Sequence, residues 1–198
     1  MATDVVIRMT RPYVFHRISD QTFDGKPKEK RGSAGNDPDE WRGTFYAEDD
    51  KLFIPRKQIF STIRAGARHV KAGRGSIMYA VASTLQVAPA KLFIGPKLPP
   101  WALNGDKPIR VNDPDDTEAD VFVWQDTVKN PATKGTNMRH RLTIAPGFTL
   151  SFELIYDPTI VGHTQMESAL MRAGQLEGIG DGRRIGMGRF EVVSFETH

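Results

Sequence analysis

The stretch Glu177–Val192, EGIGDGRRIGMGRFEV, decides how the chain is read. It holds five glycines (Gly178, Gly180, Gly182, Gly186, Gly188) and three arginines (Arg183, Arg184, Arg189) just ahead of the last hydrophobic run. Glycine in a loop weakens a fold through chain entropy, so this density calls for a reason. No G-x-x-x-x-G-K-[ST] is present, so the stretch is not a P-loop. Its G-x-G follows a helical pattern and precedes a strand, the reverse of a dinucleotide fingerprint. Two readings remain. One is a glycine-lined surface that a sugar–phosphate backbone can approach, with arginines for the phosphates. The other, at Gly178 and Gly180, is a tight helix-to-strand crossover.

Working outward, Thr164 and Glu167 have capping-box spacing, and Met166, Ala169, Leu170, Ala173 and Leu176 form a helical stripe that Gly178 stops. Phe190–Phe195, FEVVSF, reads as the final strand. Upstream, Phe148–Tyr156 alternates cleanly, with Phe148, Leu150, Phe152, Leu154 and Tyr156 on one face. Ala119–Gln125 and Met138–Ile144 read as two strands of a hairpin with a basic tip, NPATKGTN. Val5–Ile18 reads as a strand interrupted by Pro12, hence an edge, a bulge or two shorter strands. GTFY and KLFI around AEDD suggest a short hairpin. Pro55 opens a helix with Ile59, Ile63, Ala67 and Val70 on one face, ended by Gly73 and Gly75. Residues 76–87 are ambiguous between buried helix and strand.

In order, these elements fit an α+β, ferredoxin-like βαββαβ core with a C-terminal glycine-rich loop. The 198 residues suit one domain with insertions at about 19–40, polar and expected to be mobile, and at 96–147, an acidic connection followed by the basic hairpin. The chain has no cysteine, which excludes disulfides, thiolate zinc sites and a cysteine nucleophile. Acid and base within the first ten residues argue against a signal peptide, and no apolar run approaches a membrane span. A cytoplasmic protein is the expectation.

Net charge is only +3, but it is unevenly placed. Lys51–Gly75 carries seven Lys/Arg and no acid, and Thr127–Arg141 four and no acid, whereas Asn104–Asp120 has six acids against two bases. Lys57, Arg64, Arg68 and Lys71 fall on the face of the Pro55 helix opposite its apolar stripe. A helix built for solubility usually mixes signs, so an acid-free face points to a polyanion. Lys129, Lys134, Arg139 and Arg141 would clamp from the hairpin. Gly180, Gly182, Arg183, Arg184, Gly186, Gly188 and Arg189 would form the facing wall.

The ending GIGDGRRIGMGRFEV resembles the C-terminal signature of the RAMP superfamily, the RNA-binding subunits and processing nucleases of CRISPR systems. LFIPRKQIFSTIRAGAR is similar to the helix that those proteins place after a proline-bearing turn. VKNPATKGTNMRHR is similar to their finger-like insertions. The ending also resembles uncharacterised phage proteins with an R-x-R … GIGDxR … GRFEV pattern. The resemblance implies an RRM-like fold and sequence-independent binding of single-stranded nucleic acid, RNA ahead of DNA. It implies a homo-oligomer or ribonucleoprotein subunit, such as an effector backbone subunit or a phage relative of one.

Two alternatives stand beside it. A metal-independent RNA endonuclease needs a general base and acid, for which His16 and His140 are the candidates, with Tyr13 assisting. A phage interaction protein would instead target a host CRISPR complex. Neither H-E-x-x-H nor a serine triad occurs, and no cofactor or metal is expected. Asp113, Asp115 and Asp116 are compatible with a solvated loop, a cation site or contact with a neighbouring copy. Trp41, Phe45, Trp101 and Trp124 are the aromatics nearest basic or loop segments, Trp101 being the one expected to be exposed.

Overall fold

The computed structural model describes residues 1–17, 37–129 and 135–198. Lys134 and residues 19–36 of the first insertion lie outside the described residues.

β1 (Ala2–Met9) buries Thr3, Val5, Ile7 and Met9 and exposes Asp4 and Arg8. Proline cannot donate to a ladder, and beyond Pro12 the chain resumes in a separate sheet as β2 (Tyr13–Val14). A short 3₁₀ turn, Glu40–Gly43, buries Trp41. β3 (Ala47–Glu48) and β4 (Lys51–Pro55) form the expected hairpin, turned through Asp49 and Asp50 at φ of 48° and 61°.

α1 (Arg56–Ala67) starts at Pro55 and buries Ile59, Ile63 and Ala67. It stops earlier than the apolar spacing predicts. The Arg68 and His69 amides bond back to Ala65 and Gly66, which tightens the last turn. The chain then forms a small hairpin, β5 (Lys71–Ala72) with β6 (Gly75–Ser76), so Lys71 lies on a strand and not on the helix. The ambiguous segment divides into α2 (Met78–Thr84) and β7 (Gln86–Ala88). β8 (Lys91–Lys97), α3 (Pro100–Asn104), β9 (Arg110–Val111), β10 (Val121–Lys129), β11 (Thr136–Ile144) and β12 (Thr149–Ile155) follow. α4 (His163–Arg172) begins one residue before Thr164, and the Gly162 amide donates to Gln165 Oε1 at 3.1 Å in place of a Thr164–Glu167 box. A wide turn, Ala173–Glu177, leads from it, and Leu176 on that turn is exposed, not buried. β13 (Phe190–Thr197) closes the chain.

The main sheet has the order β13-β1-β12-β7, with every neighbouring pair antiparallel. Reduced to this sheet and the helices α1 and α4, the chain runs β1-α1-β7-β12-α4-β13, the ferredoxin-like βαββαβ arrangement. Leu150, Phe152 and Leu154 of β12 join Val5 and Ile7 of β1 in the core beneath the helices. Each such fully buried side chain contributes about 1.5–3 kcal/mol. α1 and α4 meet at Gly66, where an added Cβ would lie 2.4 Å from the Ala169 carbonyl and the Ala173 amide nitrogen. Only glycine lets the two helix backbones come this close.

The 96–147 segment, joined by β2, builds a second sheet, β2-β11-β10-β9, and the basic hairpin is its β10–β11 pair. Val14, Phe122, Trp124 and Met187 form a small core there, so Met187 roots the glycine loop on this sheet.

Candidate nucleic-acid interface

The glycine loop is docked against the β1–β2 corner. The Asp181 amide donates to the Val14 carbonyl at 2.9 Å and the Gly188 amide to the Pro12 carbonyl at 2.8 Å. Ile179 and Gly188 approach so closely that a Cβ at Gly188 would sit 1.8 Å from the Ile179 carbonyl oxygen. A Cβ at Gly180 would fall 2.5 Å from the Val14 carbonyl and 2.7 Å from the Tyr13 ring. These glycines therefore serve the protein's own packing. Gly186, at φ 87°, differs: nothing lies within 4 Å of its Cβ position. Arg183 and Arg184, between these points, are exposed.

The corner and α1 enclose a cleft of about 490 Å³, lined by His16, Arg17, Tyr46, Lys57, Gln58, Ser61, Thr62, Gly180 and Arg183. Four separate chain segments converge here, and the cleft brings together four predicted residues, Lys57, Gly180, Arg183 and the catalytic candidate His16. The Thr62 hydroxyl donates to the Gly178 carbonyl at 3.1 Å, tying helix and loop into one wall. Lys57, Arg64, Arg183 and Arg184 are exposed and make no ion pair among the described residues. Arg64 continues the Lys57–Ser61 stripe one turn along α1. Arg68, further along the stripe, leans toward Glu177, Nε to Oε1 3.8 Å, and His69 bonds the same carboxylate at 2.8 Å.

His16 is exposed, with Nδ1 3.4 Å from Asp181 Oδ2. Asp181 is held at about 2, below its usual value, chiefly by that hydrogen bond and then by the Gly182 amide, against the opposing effect of burial. His140 is different. It is 3% exposed, its Nε2 lies 3.0 Å from Gln125 Nε2, and it is not among the cleft residues. Burial, and next the Arg110 charge, hold its ring below the ordinary value. Tyr13 is also fully buried. Its burial pushes the hydroxyl well above the ordinary range, and that hydroxyl donates to Gln58 Oε1 at 2.8 Å.

The hairpin arginines are engaged inside the protein. Arg139 and Arg141 both reach Glu40 Oε1, at 2.8 and 2.7 Å, and Arg141 Nε lies 3.7 Å from Asp181. Burial opposes ionisation of Glu40, but hydrogen bonds from Arg141 and the His140 amide and the two guanidinium charges outweigh it and hold the carboxyl low. Arg141 is only 11% exposed at its side chain. Lys129 is exposed near the hairpin tip. Arg189 is half-buried; its carbonyl accepts from the Thr10 amide at 2.9 Å.

The expected stacking aromatics are mostly internal. Trp41 is fully buried and Trp124 nearly so; Trp101 is half-buried, edge-on to Trp41 at 5.3 Å, which corrects its expected exposure. Tyr46, absent from the sequence-based choice, lines the cleft instead. Among the acids, Asp115 accepts from Arg11 at 2.7 Å. The described residues whose ligand atoms converge, within 4.8 Å, are Asp4, Glu153 and His198. Sequence spacing pointed to neither Glu40 nor Asp181, because their partners are 99 and more residues away for Glu40 and 40 or more for Asp181.

No protein-family profile and no curated protein matches the chain. Among solved structures it is similar, at 18% identity and a TM-score of 0.48, to a chain in the cryo-EM structure of the type III-B Cmr-beta bound to cognate target RNA. The alignment covers 98% of this chain and 59% of that one, so the chain spans less than two thirds of this distant neighbour's length. No helix among the described residues is long and apolar enough to cross a membrane.

Proposed function

We propose that the protein binds single-stranded nucleic acid, RNA ahead of DNA, mainly through the sugar–phosphate backbone. One observation carries this reading. Unpaired cations from α1 and the glycine loop, Lys57 and Arg183, face one cleft, and Arg64 and Arg184 extend the charge beyond it. Phosphates gain most from cations that no internal acid already neutralises. The RAMP-like C-terminal stretch makes a CRISPR-type ribonucleoprotein the proposed setting, with the protein as a backbone-type subunit or a phage relative of one.

The test is fluorescence anisotropy with a labelled single-stranded RNA across a salt series. Wild-type affinity should fall steeply with salt. Lys57→Ala with Arg183→Ala should weaken binding about tenfold and lower the salt slope by about 1.4, roughly 0.7 per lost phosphate contact on a single strand. Unchanged binding by the double variant would remove the cleft as the interface.

A second reading, a metal-independent RNA endonuclease, is favoured by the pairing of His16, which lines the same cleft, with Asp181. Asp181 orients one ring nitrogen and leaves the other for proton transfer, while His140 is buried elsewhere. RNA cleavage in EDTA that disappears in His16→Ala would establish it; an intact strand after prolonged incubation would dismiss it.

A further inference from the structure

Gln58 sits beside Lys57 on α1, half-buried, with its side chain on the cleft wall. Its carbonyl oxygen is taken by the Tyr13 hydroxyl at 2.8 Å. Tyr13 is immobile: it is fully buried, packs edge-on against Phe15 at 4.8 Å, and lies under Gly180. The Gln58 amide nitrogen has no partner among the described residues, and it is not sealed from solvent. A carboxamide anchored through its oxygen presents two N–H donors and no acceptor. Lys57 and Arg183 already supply the charge that a phosphate needs. A fixed neutral donor adds little to that, but it matches a planar carbonyl.

Two further residues of the cleft lining, Arg17 and Tyr46, offer a stacking surface. The Arg17 guanidinium lies over the Tyr46 ring, 5.7 Å from its centroid, and Tyr46 is backed by Phe53 at 5.6 Å. Unpaired bases of single strands stack on aromatic rings and guanidinium planes alike. The cleft volume, about 490 Å³, falls within the range of sites that enclose a small ligand.

Resting on the nucleic-acid reading above, we propose that the cleft receives one nucleobase of the bound strand. The base lies against the Arg17–Tyr46 pair, and its carbonyl edge accepts from the Gln58 amide. Uracil, with two carbonyls, satisfies this donor. Adenine has no carbonyl; it can accept only at a ring nitrogen, and its amino group beside that nitrogen finds no acceptor because the Gln58 oxygen is already taken by Tyr13. The protein would then hold the strand by its backbone while reading one position for a carbonyl.

The experiment compares affinities for labelled oligouridylate and oligoadenylate of equal length in wild type, Gln58→Leu and Gln58→Glu. Gln58→Glu keeps an acceptor for Tyr13 and removes both donors, so a folding defect from an orphaned Tyr13 is controlled. Wild type should prefer oligouridylate about five- to tenfold, the scale of one hydrogen bond. In both variants the ratio should collapse to within about twofold. Equal, salt-dependent binding of the two oligomers by wild type would overturn the base site and leave backbone binding standing. A preference that survives in both variants would overturn Gln58 as its reader. Failure of wild type to bind either oligomer would overturn this inference together with the reading beneath it.

Discussion

Two basic segments that look alike in sequence end in opposite states. Lys51–Gly75 and Thr127–Arg141 both carry cations without a single acid. In the first, Lys57 and Arg64 stand exposed and make no ion pair among the described residues. In the second, Arg139 and Arg141 converge on Glu40, and Arg141 also leans on Asp181. Local composition counts cations, whereas the field outside a protein depends on which of them the fold has neutralised. The hairpin arginines tie the Glu40 turn and the glycine loop to the second sheet, whereas on the α1 face Lys57 and Arg64 stay without an ion pair among the described residues and only Arg68 leans on an acid, Glu177.

Breaking this contrast begins with the wall of the cleft. Gly188→Ala forces a Cβ to 1.8 Å from a carbonyl at φ 69° and should cost more than about 3 kcal/mol in urea denaturation, if the variant folds at all. Gly186→Ala, with open space around it, should cost only about 1 kcal/mol from the left-handed backbone. Equal losses at the two positions would mean that the loop is not held by close packing.

Arg141→Ala should cost about 2–3 kcal/mol, because it leaves Glu40, in a largely buried setting, with only the part-exposed Arg139 and the His140 amide. Arg139→Ala, one-third exposed, should cost about 0.5 kcal/mol and change RNA affinity by less than about twofold. A large loss of binding in Arg139→Ala without loss of stability would restore the hairpin as a clamp.

A separate effect is the dependence on pH. Asp181 is held at about 2 against a usual 3.8, so its stabilisation is full above the usual value and is lost as pH falls through about 2. Asp181→Asn should therefore flatten the acid limb of the stability curve between about pH 4 and 2. An unaltered limb would take Asp181 out of the network that joins His16 to Arg141.

Much of the core was legible because its signals are local. Alternation marked β12, Pro55 marked the start of α1, and Pro12 marked the break after β1. The end of α1 was not legible, because Val70 keeps the helical period although the backbone has already turned. The glycine loop stands out by its composition alone. The reason for its glycines was not legible, since contacts to Pro12, Tyr13 and Val14 span more than 160 residues. The cleft was only half visible: spacing singles out charged stripes, but Gln58 and Tyr46 acquire their meaning from Tyr13 and Arg17, which sequence spacing does not bring near them.

The near-contact of α1 and α4 at Gly66, with the Thr62–Gly178 hydrogen bond, has a kinetic consequence. Helix and loop are fixed to one another in the protein alone, so a strand bound as proposed would meet this wall of the cleft already formed. Association should then proceed at a rate set by diffusion and electrostatic steering, and substitutions inside the cleft should act on residence time.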